Sequence, residues 1–376
     1  MKKKYRILLT ISEFMFSSQV RNLCDLILGL DRDRFDIEIG ALDVGDEATG
    51  EVEALGVPYY LLRVLPSREL NLKKIREFLH SPFIVRKKRF DLVHSLLYQS
   101  IATEALIFRF FSDAKYIYTK SNNQWDNHPT NWKLKSRLSD KIISISKSTD
   151  DILFKHGFRD KSVRIFLGID TGYFRESSEK RHDLRETLGV PQGSLVFGCA
   201  AQFVEWKEHL TILMAFEQLC ERHDDIYLFY CGPNHNDDYY RTFLNRLAGS
   251  PVKSKVHLLG TLKDMPTFYS AIDCFVLASR IEPFGYVYIE AMSCGKPVIA
   301  CRAGGPLDII EDGGNGLLVE MSSPNDLAEK MERYVKDRSL IKEHGDAGRI
   351  RAEEMFSKEI MAKNHQELYL KVLEGS

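Results

Sequence analysis

Short apolar runs separated by longer amphipathic ones recur along nearly the whole chain, and this alternation restricts the fold more than any other feature. Runs at 5–11, 35–42, 58–62, 92–95, 116–119, 141–145 and 163–166 read as strands. A second series occupies 195–200, 226–231, 256–259, 274–278 and 298–301. Strands alternating with helices imply parallel sheets covered on both faces. The two series meet near 170–193, where Ser177-Ser178-Glu179-Lys180-Arg181 is polar and Pro191-Gln192-Gly193 is a turn. At 376 residues the chain suits two domains of ordinary size. The reading is therefore α/β, with two doubly wound halves. Ligands of such sheets lie beyond the carboxyl ends of the strands, which in a two-domain arrangement face each other across a cleft.

The most informative segment is Glu282-Pro283-Phe284-Gly285-Tyr286-Val287-Tyr288-Ile289-Glu290. Its two carboxylates stand eight residues apart, the first in a loop and the second inside the helix that follows. Pro283 suits a helix opening, and Gly285 lets a ligand approach the backbone. Downstream, Cys294-Gly295-Lys296-Pro297 reads as a helix stop, Val298-Ile299-Ala300-Cys301 as a strand and Gly304-Gly305 as another close-approach loop. A helix N-terminus gathers unsatisfied amides and partial positive charge, which suits a diphosphate. Flanking carboxylates accept hydrogen bonds from neutral hydroxyls. Together these point to a sugar nucleotide, its phosphates on the helix end and its hydroxyls on Glu282 and Glu290.

Segment 279–320 resembles the signature of the retaining glycosyltransferases of family four, which adopt the GT-B fold of two facing Rossmann-like domains. The likeness continues through Tyr227-Leu228-Phe229-Tyr230-Cys231-Gly232-Pro233, a strand ending in a glycine loop. Val256-His257-Leu258-Leu259-Gly260 and Asp264-Met265-Pro266 resemble the strand and turn beside the nucleotide base. Met355-Phe356-Ser357 and the stretch after it resemble the terminal helix that returns to the first domain. The implied division is an acceptor-binding domain at 1–175, completed by a helix at about 358–376, and a nucleotide-sugar domain at 185–357.

The resemblance also implies roles. Glu282 contacts the sugar and stabilises positive charge at the anomeric carbon, and Lys207 neutralises the departing diphosphate. Glu290 takes the ribose hydroxyls. Phe284, Gly285, Tyr286 and Val287 supply backbone amides, and Gly232 and Leu262 complete the donor site. Gln202 stands five residues before Lys207, where the family carries an arginine, so a bidentate phosphate grip is absent there. In the first half Ser17 and Ser18 replace a glycine-rich loop. Leu96 and Ser121 occupy the places of two customary histidines, leaving His94 or His128 as substitutes, with Asn122 and Asn123 as further acceptor or sugar contacts. An inverting transfer needs a general base beside the acceptor hydroxyl. A retaining one on this scaffold is generally attributed to same-face attack with the leaving phosphate taking the proton. Asp150-Asp151 and Asp237-Asp238 read as solvated positions, so no metal and no cofactor beyond the co-substrate is expected.

Composition narrows the setting. Seven cysteines without a CxxC pair argue for a reducing compartment, and no run reaches the length of a membrane span. The basic N-terminus reads as a first buried strand, not a signal peptide. The net charge of −1 conceals an asymmetry: residues 1–172 hold 28 Lys+Arg against 22 Asp+Glu, and the remainder 24 against 31. Much of the excess lies at 73–89, where Lys73, Lys74, Arg76, Arg86, Lys87, Lys88 and Arg89 interleave with Leu72, Ile75, Phe78, Leu79, Phe83, Ile84 and Val85. This suits an anionic membrane surface, or else a solvated helix face plus a basic turn. No nucleic-acid motif is present.

The expectation is a cytoplasmic, metal-independent hexosyltransferase, peripheral at the inner membrane face. It would move a hexose from a nucleoside-diphosphate sugar to a saccharide acceptor, lipid-linked, in cell-surface polysaccharide, lipopolysaccharide or exopolysaccharide synthesis. The alternatives are an epimerase or phosphorylase on the same scaffold, or a sugar-nucleotide-binding protein without turnover. The lack of GxGxxG after the first strand and of GxxxxGK[ST] anywhere argues against a dehydrogenase or an ATPase.

Overall fold

A computed structural model describes residues 3–13, 18–43, 49–64, 72–97, 102–122, 129–234 and 238–375. The chain forms two compact units, one of residues 1–168 with 358–376 and one of residues 169–357.

The first unit carries seven strands: β1 (Tyr5–Glu13), β2 (Phe35–Asp43), β3 (Tyr59–Leu61), β4 (Leu92–Ser95), β5 (Lys115–Lys120), β6 (Lys141–Ser144) and β7 (Ser162–Arg164). Their order is β3-β2-β1-β4-β5-β6-β7 and the pairings are parallel. One face packs under the helices Ser18–Gly29 and Lys358–Glu374, which bury Leu23, Leu26, Ile27, Met361 and Tyr369 against Ile7, Leu9, Phe35 and Ile37. The other face is filled by Val85, Phe90, Phe108, Trp132 and Leu153. A sheet covered on both sides buries its central strands along both faces, and all of Leu92–Ser95 is buried.

The second unit carries β8 (Leu195–Ala200), β9 (Ile226–Cys231), β10 (Val256–Leu258), β11 (Cys274–Leu277), β12 (Val298–Cys301) and β13 (Gly316–Val319). The order β10-β9-β8-β11-β12-β13 is again parallel. Both units therefore show the Rossmann order, and in each the direction of winding reverses beside the first strand. In the second unit this switch point lies between β8 and β11, where Cys274 pairs with Phe197 and Phe275 with Gly198. The strand Gly316–Val319 is one more than the apolar runs disclosed. The helix expected to open at Pro283 begins instead at Tyr286, because Gly285 takes the cap position with φ 113°.

Several polar residues have structural duties. Asp150, expected to be solvated, is buried, and its carboxylate accepts from Ser162 Oγ at 2.7 Å, from Arg164 Nε at 2.7 Å and from Ser144. It anchors β6 to β7. In the second unit, buried Arg185 donates to Asp273 at 2.8 Å and to the carbonyls of Ala271 and Ser194, closing the sheet's amino-terminal edge. None of the seven cysteines forms a disulfide. Among the described residues, no helix is long and apolar enough to cross a membrane.

Candidate active site

Every donor-site residue expected in the second unit lies in a loop leaving the carboxyl end of a strand or in the helix that follows one. Lys207 and Gln202 follow β8, Gly232 follows β9, Leu262 follows β10, and Glu282 to Glu290 follow β11. Parallel strands bring these loops to one edge of the sheet. Successive loops are stitched together: Ala201 N donates to Cys231 O at 2.9 Å, Phe203 N to Pro233 O at 2.9 Å, and Gly232 N to Gly260 O at 2.8 Å. The contact is so close that a Cβ on Gly232 would stand 2.1 Å from Ala201 O.

The structure joins Lys207 to Glu282. Lys207 Nζ lies 2.6 Å from Glu282 Oε2 across the switch point, with both side chains mostly but not fully buried. Three contacts fix this pair. Arg280 N donates to Trp206 O at 2.9 Å, Ser279 Oγ donates to the same oxygen at 3.3 Å, and Arg280 Nε meets Glu208 Oε1 at 2.7 Å. Glu208 itself holds φ 58°, a left-handed conformation unfavourable to a residue with a Cβ. Its carboxylate also reaches Thr211 and Ser322. Glu208 and Arg280 are thus positioning residues that the sequence reading missed.

The Gly304-Gly305 loop supports Glu282 from beneath. Gly305 N donates to Glu282 O at 2.8 Å, and a Cβ on Gly305 would fall 2.2 Å from Phe284 O. Phe284 is buried against Phe356, their ring centroids 6.0 Å apart. The helix Tyr286–Ser293 then opens at this edge, its amino end carrying the partial positive charge of the helix dipole. Glu290 lies in its second turn. It is 7% exposed, and Tyr269 donates its hydroxyl to Oε2 at 2.7 Å. Burial, reinforced by this carboxylate, drives the Tyr269 hydroxyl well above its usual pKa, so it stays a donor. Tyr269 also escaped the sequence reading. The helix ends as expected, with Gly295 left-handed at φ 70° and its N–H on Met292 O at 2.8 Å.

The expected contacts of the first unit fare differently. Ser17, Asn123 and His128 fall outside the described residues, as does the side chain of Ser18. His94 does not face solvent. It is fully buried, with Nδ1 2.7 Å from the Tyr369 hydroxyl and Nε2 2.7 Å from Thr119 Oγ1, and burial lowers its pKa well below the ordinary value. Its role is to tie β4 and β5 to the final helix. Asn122 is buried, its carbonyl accepting from buried Lys120 Nζ at 2.7 Å, and Ser121 is partly buried beside it. Nearby, buried Glu104 accepts from Ser95 Oγ at 2.6 Å and the Tyr116 hydroxyl at 2.7 Å, with Lys135 Nζ at 3.3 Å.

The family model described as Glycosyl transferases group 1 matches residues 180–351, and that described as Glycosyltransferase Family 4 matches residues 19–173. The chain belongs to the family 4, group 1 glycosyltransferases. Among curated relatives, the lipopolysaccharide core biosynthesis glycosyltransferase LpsE of Rhizobium meliloti is 29% identical over 184 residues, 49% of this chain and 52% of that protein. A GDP-mannose-dependent monoacylated alpha-(1-6)-phosphatidylinositol monomannoside mannosyltransferase of Corynebacterium glutamicum is 31% identical over 52% of each chain. The matches thus span about half the length of these relatives. Among solved structures, Anabaena Alr3699/HepE in complex with UDP and glucose superposes with a TM-score of 0.83 at 20% identity. It covers 97% of this chain and 99% of its own. A glycosyltransferase of Rickettsia africae gives 0.84 at 22% identity, over 99% of this chain and all of its own. The GT-B assignment of the fold rests on these likenesses.

Proposed function

We propose that this family member is a retaining glycosyltransferase that moves a hexose from a nucleoside-diphosphate sugar to a saccharide acceptor. The observation that carries the reading is the Lys207–Glu282 pair, held at the switch point beside the amino end of the helix that bears Glu290. In the reaction the bond between the anomeric carbon and the diphosphate oxygen breaks. The acceptor oxygen bonds that carbon on the same face, and its proton passes to the departing phosphate. Lys207 and the amides of Phe284, Gly285, Tyr286 and Val287 stabilise the charge that develops on the diphosphate. Glu282 stabilises the positive anomeric carbon and holds sugar hydroxyls, and Glu290, steadied by Tyr269, receives the ribose. Gln202 offers a neutral amide to the phosphates, which throws more of the charge compensation onto Lys207. Gly232 and Leu262 border the base. The reaction as proposed needs no metal.

The acceptor is proposed to be lipid-linked and the product a cell-surface polysaccharide or lipopolysaccharide, with the enzyme peripheral on the cytoplasmic face of a membrane. The names of LpsE and of the Corynebacterium enzyme support this, as does the basic stretch at 73–89, most of it in the helix Leu72–Lys88. Thermal stabilisation against UDP-, GDP- and ADP-sugars tests the donor half, with Glu290→Ala in parallel. A selective shift lost in the variant is expected, since binding to the folded state alone raises the melting temperature. No shift with any donor would overturn the reading. Binding without transfer to any acceptor would favour the non-catalytic alternative.

A further inference from the structure

The helix Leu72–Lys88 is apolar on two sides. Inward it packs Phe78, Ile84 and Val85 into the core of the first unit. Outward it presents Ile75, Leu79 and Phe83, spaced by four residues and hence aligned in one row. Leu79 is 63% and Phe83 68% exposed. The neighbouring helix Thr103–Phe111 buries Ala105, Ile107 and Phe108 and ends in Arg109-Phe110-Phe111, with Phe110 74% exposed. Large apolar side chains standing in water on two adjacent helices call for something that covers them.

Between the carboxyl ends of these helices lies a cavity of about 660 Å³, lined by Arg86, Arg89, Arg109, Phe110 and Phe111 among others. Four other arginines of this unit meet carboxylates: Arg6 with Glu38, Arg34 with Glu374, Arg63 with Glu77, and Arg164 with Asp150. No carboxylate among the described residues lies in ion-pair contact with Arg86, Arg89 or Arg109. Of the two aspartates at the cavity, Asp91 is engaged by Arg6 N at 2.8 Å. Arg89 holds φ 51°, where a residue with a Cβ is disfavoured and glycine is the usual helix stop. Cations at helix carboxyl ends complement the helix dipole, but that alone explains neither the shared cavity nor the phenylalanines beside it.

We infer that this face docks on an anionic phospholipid bilayer, with a lipid phosphate in the cavity of Arg86, Arg89 and Arg109 and Phe83, Phe110 and Leu79 entering the acyl boundary. Guanidinium groups form bidentate hydrogen bonds with phosphate, and exposed apolar side chains beside them gain by leaving water. The inference deepens the peripheral-membrane part of the proposed function and is independent of donor chemistry.

The test is co-sedimentation of the full chain with vesicles of phosphatidylcholine alone or mixed with phosphatidylglycerol. Binding only to the mixed vesicles is expected, and loss of the three charges in R86A/R89A/R109A should weaken it about a hundredfold, from a factor of about five per basic residue. R86K/R89K/R109K should retain most of the charge term but lose the bidentate grip. F83S/F110S should weaken binding and flatten its dependence on vesicle concentration without changing its preference for phosphatidylglycerol. Equal binding by the wild type and the triple alanine variant would overturn the inference. So would equal binding to both vesicle types, or capture of an oligonucleotide or of inorganic phosphate without affinity for vesicles. The donor-induced melting shift of each variant should match the wild type. Loss of that shift in the wild type would sink the transferase reading alone, because vesicle binding does not depend on it.

Discussion

Tyr269→Phe is the most incisive single change, because it removes one oxygen and leaves the ring in place. Tyr269 is fully buried, and its hydroxyl donates to Glu290 Oε2 at 2.7 Å in the interior of the second unit. A hydrogen bond to a charged acceptor contributes about 1.5–3 kcal/mol to stability, and its loss leaves a carboxylate oxygen that water reaches poorly. For a unit of this size that corresponds to a melting shift of roughly 3–12 °C downward. The carboxylate also loses one of the contacts that orient it, so the donor-induced stabilisation should shrink as well. Differential scanning fluorimetry with and without the best donor reads both effects. The decisive comparison is a double-mutant cycle with Glu290→Gln. If the hydroxyl acts through the carboxylate, Tyr269→Phe should cost about 1 kcal/mol or more less in the Glu290→Gln background than in the wild type. Strict additivity, or a Tyr269→Phe protein that melts and binds donor like the wild type, would refute the argument that this tyrosine sets the position of Glu290.

Three further outcomes follow from the same geometry. Lys207→Met should lower turnover by two to three orders of magnitude, on the scale of removing one transition-state donor, while the protein still folds; undiminished product formation would exclude Lys207 from the chemistry. Gly305→Ala places a methyl 2.2 Å from Phe284 O at an ordinary backbone angle, so it tests crowding alone. An overpacking loss of about 1–3 kcal/mol together with impaired donor binding is expected from melting curves. His209 and His365 are buried and neutral, and burial lowers their pKa values to about 3 and about 4. Because the unfolded chain binds these protons first, stability should be intact above pH 6.5 and fall as pH drops from there toward those values. The slope is at most about 1.4 kcal/mol per pH unit for each histidine, and denaturant titrations should find it reduced in His209→Phe.

The two-sheet architecture was legible because strands of parallel sheets are rich in apolar residues, and twelve of the thirteen stand out as short, mainly apolar runs. The exception, Gly316–Val319, follows Gly313-Gly314, and those glycines interrupt the apolar pattern just before it. The same property hid the orientation of His94. A strand buried on both sides has no polar face, and nothing local says toward which helix the ring points. The loop and helix at 282–290, proposed to hold the donor, were marked by the nonapeptide, whereas the Lys207–Glu282 contact joins residues 75 apart and exists only because β8 and β11 are neighbours. Tyr269 left no signal, since a tyrosine in a short apolar helix resembles any core residue. Glu208 gave a faint one: it stands between a short polar turn and a helix start, where a left-handed residue is often needed. The stretch 73–89 showed its charge but not its second apolar face, because packing decides which of two apolar rows is turned inward.

The helix Lys358–Glu374 gives the first unit an interrupted chain, with the whole of residues 169–357 inserted before its last element. During synthesis the sheet of the first unit emerges early, yet Tyr369 and Met361, which cover Phe35 and Ile37, are made only after the second unit is complete. The continuous unit can close on itself as it leaves the ribosome. The discontinuous one must wait, holding an apolar sheet face available to chaperones or to aggregation until the helix Lys358–Glu374 arrives. A chain released before residues 358–374 are made would have a closed second unit and an unsealed first one.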